Sequence, residues 1–302
     1  MTTATTTAPE PPRTPGYDAT GVRAFQIGNL RCIALQDGSK LVPSPAEMGL
    51  VTPTADEVAA VMAAFGEQTG LDPASVSYTI LLLELDGRRV LVDAGNGPSV
   101  LGGLLPARLA DVGLTPDDID AIILTHAHTD HIDGLFVDGS AVFPRATLHL
   151  SEVEWARAQQ PLTASSDASI RERLLPLAAQ VRTFAWGDAI LPGVTAVAAP
   201  GHTPGMTALR IESDGVTLLH TADALARSVQ LARTDWYLPF DADPQLAMAT
   251  RRRLFAEAAQ AGWLVQSYHL PFPGLGTLHA ADDAADAYRW QPYAESDGGS
   301  DT

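Results

Sequence analysis

The apolar positions of this chain fall into two rhythms that alternate from one end to the other. Short continuous or alternating apolar runs, the pattern of strands, lie at residues 22–27, 31–36, 77–85 and 89–92, and Asp86-Gly87 joins the last two as a hairpin turn. Helical spacing follows at 55–65 and about 100–112. Thr115-Pro116-Asp117-Asp118 then has the form of a helix start, with a capping threonine and proline at the first helical position. The run Ala121-Ile122-Ile123-Leu124 predicts a buried strand. Beyond it the pattern predicts a strand at 147–150, a helix at 151–159 with Ser151 capping and Glu154 closing a capping box, and a second helix at 170–179. Strands are predicted at 181–184, 194–198, 207–212 and 216–220, the last pair joined by Ser213-Asp214-Gly215, and a long helix at 244–261. Strands at 263–267, near 276–279 and near 287–290 close the chain. Hairpins interleaved with helices predict two sheets covered by helices within one domain, 21–294.

Composition narrows what such a domain does. Its 302 residues, 46% hydrophobic and 18% charged, suffice for a sizeable core. Thirty-six acidic against 19 basic residues give a net charge of -17, which speaks against nucleic acid or an anionic membrane as partner, because phosphate binding rests on clustered cations. Lys40 is the only lysine. Cys32 is the only cysteine, so neither an intrachain disulfide nor a thiolate metal cluster forms, and its apolar strand predicts a buried, inert thiol. Residues 1–20, rich in Thr, Ala and Pro, and the acidic residues 295–302 read as disordered tails. The first has no basic and apolar regions of the kind a signal peptide carries. No run approaches the apolar length that spans a bilayer, and the expectation is a cytoplasmic protein.

The chemistry concentrates after the strand at 121–124, where Thr125-His126-Ala127-His128-Thr129-Asp130-His131 places three imidazoles and a carboxylate within six positions. So many polar rings at a strand end cannot all be buried as core without stranding hydrogen-bonding groups, and they suit a metal. Of the eight histidines, two more occupy similar positions. His202 sits in the rigid turn Pro200-Gly201-His202-Thr203-Pro204-Gly205, and His269 leaves a strand into the Pro/Gly loop Leu270-Pro271-Phe272-Pro273-Gly274. Asp223 follows the strand at 216–220. Each lies where loops from different strands converge.

Taken in order, H-x-H-x-D-H, the G-H-T-P-G turn, Asp223 and His269 resemble the metallo-β-lactamase-fold hydrolases over roughly residues 22–293. The resemblance implies an α/β (α+β) chain folded as a four-layer αββα sandwich with its site at one edge of the two sheets. It implies that His126, His128 and His202 hold one metal, that Asp130, His131 and His269 hold the other, and that Asp223 bridges both. Neutral imidazole suits two Zn²⁺ per chain, with Mn, Co or Fe as alternatives at N/O sites. Two such cations share a hydroxide that attacks a carbonyl or phosphoryl centre. Asp130 and Asp223 are the candidate catalytic carboxylates, Asp130 as a proton relay to the leaving group. Asp93, in Leu91-Val92-Asp93-Ala94-Gly95, matches the family's strand-end aspartate and is expected to orient a ligand.

Within that family, the missing cysteine ligand and the bridging Asp223 separate the chain from true β-lactamases, and the acidic charge separates it from nucleases. Trp236, Phe240-Asp241-Ala242-Asp243, Thr250-Arg251, the loop after His269 and Tyr288-Arg289-Trp290 are similar to the methyl parathion hydrolase-like branch, related to the lactonases. That branch implies a lactone, ester or phosphotriester of a small, largely apolar substrate. No tyrosine lies just after Asp223, a departure from the acyl-homoserine lactone lactonases. A thioesterase of glyoxalase-II type and a non-haem iron oxygenase or redox protein on the same fold are the alternatives; the full set of second-metal residues favours hydrolysis. Trp155, Phe184, Trp186, Trp236 and Phe272 are candidates to line a substrate pocket, and the apolar segment 41–54 a lid or a homodimer contact.

Overall fold

In the computed structural model of the protein, residues 20–160, 165–281 and 286–294 are described. The tails expected at 1–20 and 295–302 lie outside them, apart from Thr20. Seven strands form the first sheet. They include β1 (Val22–Ile27), β2 (Leu30–Leu41), β3 (Ser75–Leu85), β4 (Arg88–Val92) and β5 (Ala121–Ile123). After a two-residue-per-strand hairpin, β6 (Phe136–Val137) and β7 (Ser140–Ala141), the sheet resumes with β8 (Thr147–Ser151) and β9 (Val181–Phe184). Its order is β1-β2-β3-β4-β5-β8-β9. The pairs from β1 to β4 are antiparallel, and those from β4 to β9 are parallel.

The second sheet holds β10 (Ala189–Leu191), β11 (Val194–Ala198), β12 (Thr207–Ser213), β13 (Val216–His220), β14 (Leu264–Gln266), β15 (Leu275–Ala280) and β16 (Tyr288–Pro292), in that order. Only the β13/β14 pair is parallel in it. Parallel neighbours need crossovers, and the helices supply them. Helix α1 (Ala55–Thr69) precedes β3, while α2 (Leu105–Asp111), the single turn α3 (Thr129–Ile132), and α4 (Glu152–Gln159) with α5 (Ser165–Leu174) serve the first sheet. Helix α6 (Pro244–Ala261) spans the crossover of the second.

Three apolar interfaces follow from strand alternation. In β5, Ile122 faces outward to Leu105, Leu109 and Ile170 of the helices, while Ala121 and Ile123 face the other sheet. Between the sheets Ile27, Cys32, Leu83 and Val92 meet Val194, Ile211 and Leu218. On the far face Leu219 and Val265 pack under Leu254 and Phe255 of α6 and Phe65 of α1. Helix, sheet, sheet and helix therefore form four layers, the αββα sandwich that the resemblance implies. Each fully buried aliphatic side chain contributes about 1.5–3 kcal/mol, so these three interfaces outweigh any surface ion pair, worth about 0–1 kcal/mol.

Several elements differ from their predicted extents for local reasons. The helix expected at 100–112 begins only at Leu105, because Gly102 and Gly103 close around the buried Asp37, whose carboxylate accepts from the amides of Asn96, Gly103 and Leu105 at 2.9–3.2 Å. Strand β2 runs five residues past its predicted end through a register shift between Gln36 and Gly38. The helix expected at 170–179 starts at Ser165 and gives way after Leu174 to a 3₁₀ segment, Leu175–Gln180, at Pro176. The segment 41–54 carries a 3₁₀ turn, Pro45–Met48, whose Met48 is buried against Val58 and Trp236.

Cys32 lies sealed between the sheets, where burial first and Glu84 second push its thiol up to about 12. The native protein is therefore expected to resist a disulfide reagent such as DTNB for hours and to react within seconds to minutes in denaturant. Rapid native labelling would show that the inter-sheet core opens.

Candidate metal centre

Every residue of the candidate centre sits at a C-terminal strand end. Strand β4 ends at Asp93, β5 at the histidine motif, β11 at the His202 turn, β13 at Asp223 and β14 at His269. Backbone bonds hold these ends together across the sandwich: Thr207 N to Thr125 O at 2.9 Å, and Thr79 N to Tyr268 O at 3.0 Å. The short α3 explains the motif's spacing, for it turns Asp130 and His131 one after the other while His128 stays extended as its N-cap residue. Two backbone positions are strained. Asp93 and Ala222, the latter directly before Asp223, adopt φ of 67° and 47°, where side-chain-bearing residues cost about 1–3 kcal/mol. The His202 turn needs Gly201, at φ 131°, since a Cβ there would stand 2.3 Å from Ala247 N of α6. That helix start fixes the turn through Asp243 N to Gly201 O at 2.9 Å and Ala242 N to His202 O at 3.1 Å.

The structure brings all seven expected residues together. His126 Nε2 and His202 Nε2 lie 3.1 and 2.9 Å from His128 Nδ1. Asp223 reaches His202 Nε2 at 3.2 Å, His131 Nε2 at 3.2 Å and His269 Nε2 at 3.1 Å. Asp130 stands 3.5 Å from His269 Nε2 and 3.8 Å from His131 Nε2. Three overlapping groups result, each with its ligand atoms within 4.8 Å: His126, His128 and His202; His126, His131 and Asp223; Asp130, His131 and His269.

Outside the cluster, the other nitrogen of four of the five rings is engaged. His131 Nδ1 pairs with Asp93 and His202 Nδ1 with Asp241, both at 2.8 Å, and His269 Nδ1 meets Ser77 O at 3.0 Å. Thr125 Oγ1 donates to Asp93 at 2.9 Å and faces His126 Nδ1 at 3.1 Å, so His126 donates to the hydroxyl. Acceptors at Nδ1 place the proton of a neutral ring there and leave its Nε2 with a lone pair. As neutral rings, His126, His128 and His202 have three inward nitrogens that share at most the one proton of His128 Nδ1, which cannot satisfy them all. His131 Nε2 and Asp223 Oδ1, both buried, stand 3.2 Å apart, and neither makes a well-aligned hydrogen bond among the described residues. Such a donor set fits cations.

Protonation shows the same pull. Burial, then His131, holds His126 well below the usual imidazole value, and burial with His202 takes His128 to about 3. Burial acts downward on His131 too, but Asp93, Asp223 and Asp130 outweigh it and hold that ring well above its usual value. His202 rises to about 9, burial being outweighed by Asp223 and Asp241. Burial likewise acts to raise the Asp223 carboxyl, and His269, His131 and His202 keep it well below the carboxylate range. The cluster without metal thus binds protons where cations would compete with them.

A cavity of about 270 Å³ opens onto the cluster, walled by Val76, Tyr78, Ala226, Phe240, Lys40 and Arg227. None of the five aromatic residues expected in a pocket lines it. Phe184 and Phe272 are buried between the sheets, and Trp155 packs on the outer core of the first sheet. Trp236 lies under Met48 and Val58 with Arg233 over its ring, and Trp186 donates to Thr207 Oγ1 at 3.0 Å. Large apolar rings went to the layers, where they bury most area. His149, His220 and His279 stand outside the three groups; His220 accepts from Ala222 N, and burial takes it to about 4.

Sequence reading named Asp241 only within a branch motif and passed over Ser77, Tyr268 and the true role of Glu154. Ser151 does cap α4, but the fully buried Glu154 closes no capping box. It accepts instead from Gly205 N at 2.9 Å and Ala127 N at 3.3 Å, tying the His202 turn to the histidine motif. Tyr268 stacks on His131 at 4.0 Å and donates to Asp130 O at 2.5 Å. Asp241→Asn is expected to keep the fold and weaken metal binding about 10- to 100-fold, the usual effect of removing a ligand's supporting carboxylate. Competition with a chromogenic chelator measures it, and an unchanged affinity would show that His202 needs no anchor.

Residues 74–264 match the model of the metallo-beta-lactamase superfamily. An N-acyl homoserine lactonase from a Bacillus species is 29% identical over 196 residues, covering 57% of this chain and 73% of that protein. A crystal structure of the hydrolase AbOPH, described as in the beta lactamase superfamily, superposes with a TM-score of 0.83 at 26% identity, over 93% of this chain and all of that one. AidC, a dizinc quorum-quenching lactonase in complex with a product, shares the fold with a TM-score of 0.78 at 23% identity, over 92% and 99% of the two chains. Sandwich, strand-end histidines and family match agree, and the chain belongs to the metallo-beta-lactamase superfamily, as a metal-binding hydrolase.

Proposed function

We propose that the protein is a dinuclear zinc hydrolase of a small lactone, ester or phosphotriester. The observation that carries this reading is the inward convergence of four Nε2 atoms, His128 Nδ1 and two carboxylates, with the outward nitrogens of four rings anchored. His126, His128 and His202 would hold one ion, Asp130, His131 and His269 the other, and Asp223 would reach both. Two Zn²⁺ ions supply Lewis acidity, which activates water near neutral pH and polarises the substrate's carbonyl or phosphoryl oxygen. The protein's own part is to fix that site and shape the cavity beside it. Asp93, Asp241 and the Ser77 carbonyl hold three rings in the ligating tautomer. Asp130, partly open to the cavity, is the carboxylate placed to pass a proton to a leaving alkoxide. The related lactonase of the Bacillus species and the dizinc AidC support the lactone branch, and the missing tyrosine after Asp223 points away from ordinary acyl-homoserine lactones.

Metal analysis of the purified protein, with a panel of lactones, aryl esters, phosphotriesters, thioesters and β-lactams, tests the reading. Two zinc ions per chain and turnover of one of the first three classes are expected. Fewer than two metals per chain, or a preference for β-lactams, would overturn it.

A further inference from the structure

We infer that Lys40 and Arg227 form an anion-accepting subsite in the metal cavity, so that the substrate carries a carboxylate apart from the bond that is cleaved. The inference rests on the hydrolase reading and gives the substrate a charge, a departure from the largely apolar substrate that the family resemblance implies. Lys40 is the chain's only lysine, and it stands near the end of β2, paired with Val76, on the wall of the same cavity as His128, Asp130 and Asp223. Arg227 reaches that wall from the segment after Asp223 and is almost fully buried. Its Nε donates to Met48 O at 3.3 Å and its Nη1 to Ala226 O at 2.6 Å, which fixes the plane of the guanidinium. Nη2 and Lys40 Nζ make no hydrogen bond among the described residues, and no carboxylate there comes within 4.0 Å of either cation. Tyr78 is on the same wall, and its hydroxyl makes no hydrogen bond among the described residues.

That arrangement is unexpected in a protein with 36 acidic and 19 basic residues, where a carboxylate partner is easily supplied. Two like charges in one partly dry wall carry a cost, and burial with mutual repulsion accordingly lowers the Lys40 ammonium's affinity for its proton. The ligand carboxylates Asp130 and Asp223 do not explain the pair. Two divalent cations already exceed the charge of those two groups, so the loaded site needs no further positive charge. What remains is a guanidinium edge, an ammonium and a phenol, donors without acceptors, facing the space where substrate sits. Charge-assisted bonds to a carboxylate satisfy all three.

The test uses a matched pair of substrates on the metal-loaded enzyme: the mono-4-nitrophenyl ester of glutarate, whose far carboxylate is ionised, and the same ester with that group methyl-capped. The wild type is expected to favour the anionic ester at least about tenfold in kcat/KM, mostly through KM, the scale of a hydrogen bond to a charged group. Lys40→Met should erase most of that ratio, and Lys40→Arg should restore it. Calorimetry with glutaramate, a carboxylate without an ester, gives a readout free of turnover: Lys40→Met should weaken its binding several-fold. No preference in the wild type, a ratio unchanged in Lys40→Met, or glutaramate binding indifferent to Lys40 would each overturn the subsite, the last placing the carboxylate on the metals. Turnover of neither ester, with glutaramate binding that depends on Lys40, would remove the ester reading and leave the subsite standing.

Discussion

Asp223→Ala is expected to abolish hydrolysis, lowering kcat/KM by more than about 100-fold and bringing metal content below two per chain. The bound follows from a comparison within the site. Removing a supporting carboxylate that merely orients a ligand typically costs 10- to 100-fold in metal affinity or activity, and Asp223 is closer to the chemistry than that. Its two oxygens lie 3.1–3.2 Å from Nε2 of His131, His202 and His269, which belong to both halves of the cluster. Loss of the carboxylate therefore weakens both halves together. Its removal also takes away the charge that helps keep His131 and His202 protonated when metal is absent, so the apo variant should bind fewer protons than wild-type apoprotein. Inductively coupled plasma analysis and steady-state kinetics at saturating metal read the two effects separately. Full hydrolysis with two bound metals would mean that nothing needs to span the two ions.

The candidate ligands were legible in the sequence because they follow the ends of apolar runs, four of them packed into one motif and His202 and His269 in loops rich in Gly and Pro, where little else explains a histidine. Their partners were not. Asp241, Asp37 and Glu154 are three among 36 acidic residues, and what they bind is set by chain segments up to about 70 positions away. Glu154 is the sharpest instance: local spacing pointed to a capping box, yet two amides from the histidine motif and the His202 turn, deprived of water, compete for the same carboxylate and win. The pocket aromatics failed for the opposite reason. Burial area decides where a large ring goes, and four layers offer far more apolar contact than one small cavity. Lys40 carried a signal that was visible without a structure, its being the only lysine, but a lone cation on a strand does not say which way it points.

The largest effect on stability is expected at Arg251, on α6. Its guanidinium is 1% exposed and has no carboxylate within ion-pair distance among the described residues. Its Nε donates to Ala224 O at 2.7 Å, and its Nη1 to Thr234 O and Trp236 O, both at 2.8 Å. Burial pulls this group down to about 10, with Asp241 opposing, so it stays charged at neutral pH. Arg251→Met removes the charge but strands the carbonyls of Ala224 and Thr234, while Trp236 O keeps the Gln230 amide at 3.1 Å. Buried acceptors left without a donor cost about 1–3 kcal/mol each, and breaking a buried charged network costs about 3–5 kcal/mol. A loss of about 3–5 kcal/mol is therefore expected, a large share of the roughly 5–15 kcal/mol that holds a domain folded. Arg251→Lys should recover little of it, because one ammonium does not reproduce a fork that reaches three carbonyls. Urea unfolding at fixed, saturating metal should show a lower midpoint at unchanged slope, and a shift worth less than about 1 kcal/mol would sink the account. The same three carbonyls belong to the segment that carries Ala226 and Arg227 to the cavity wall. The variant should therefore lose its binding of anionic ester at a temperature where its histidine cluster still holds metal.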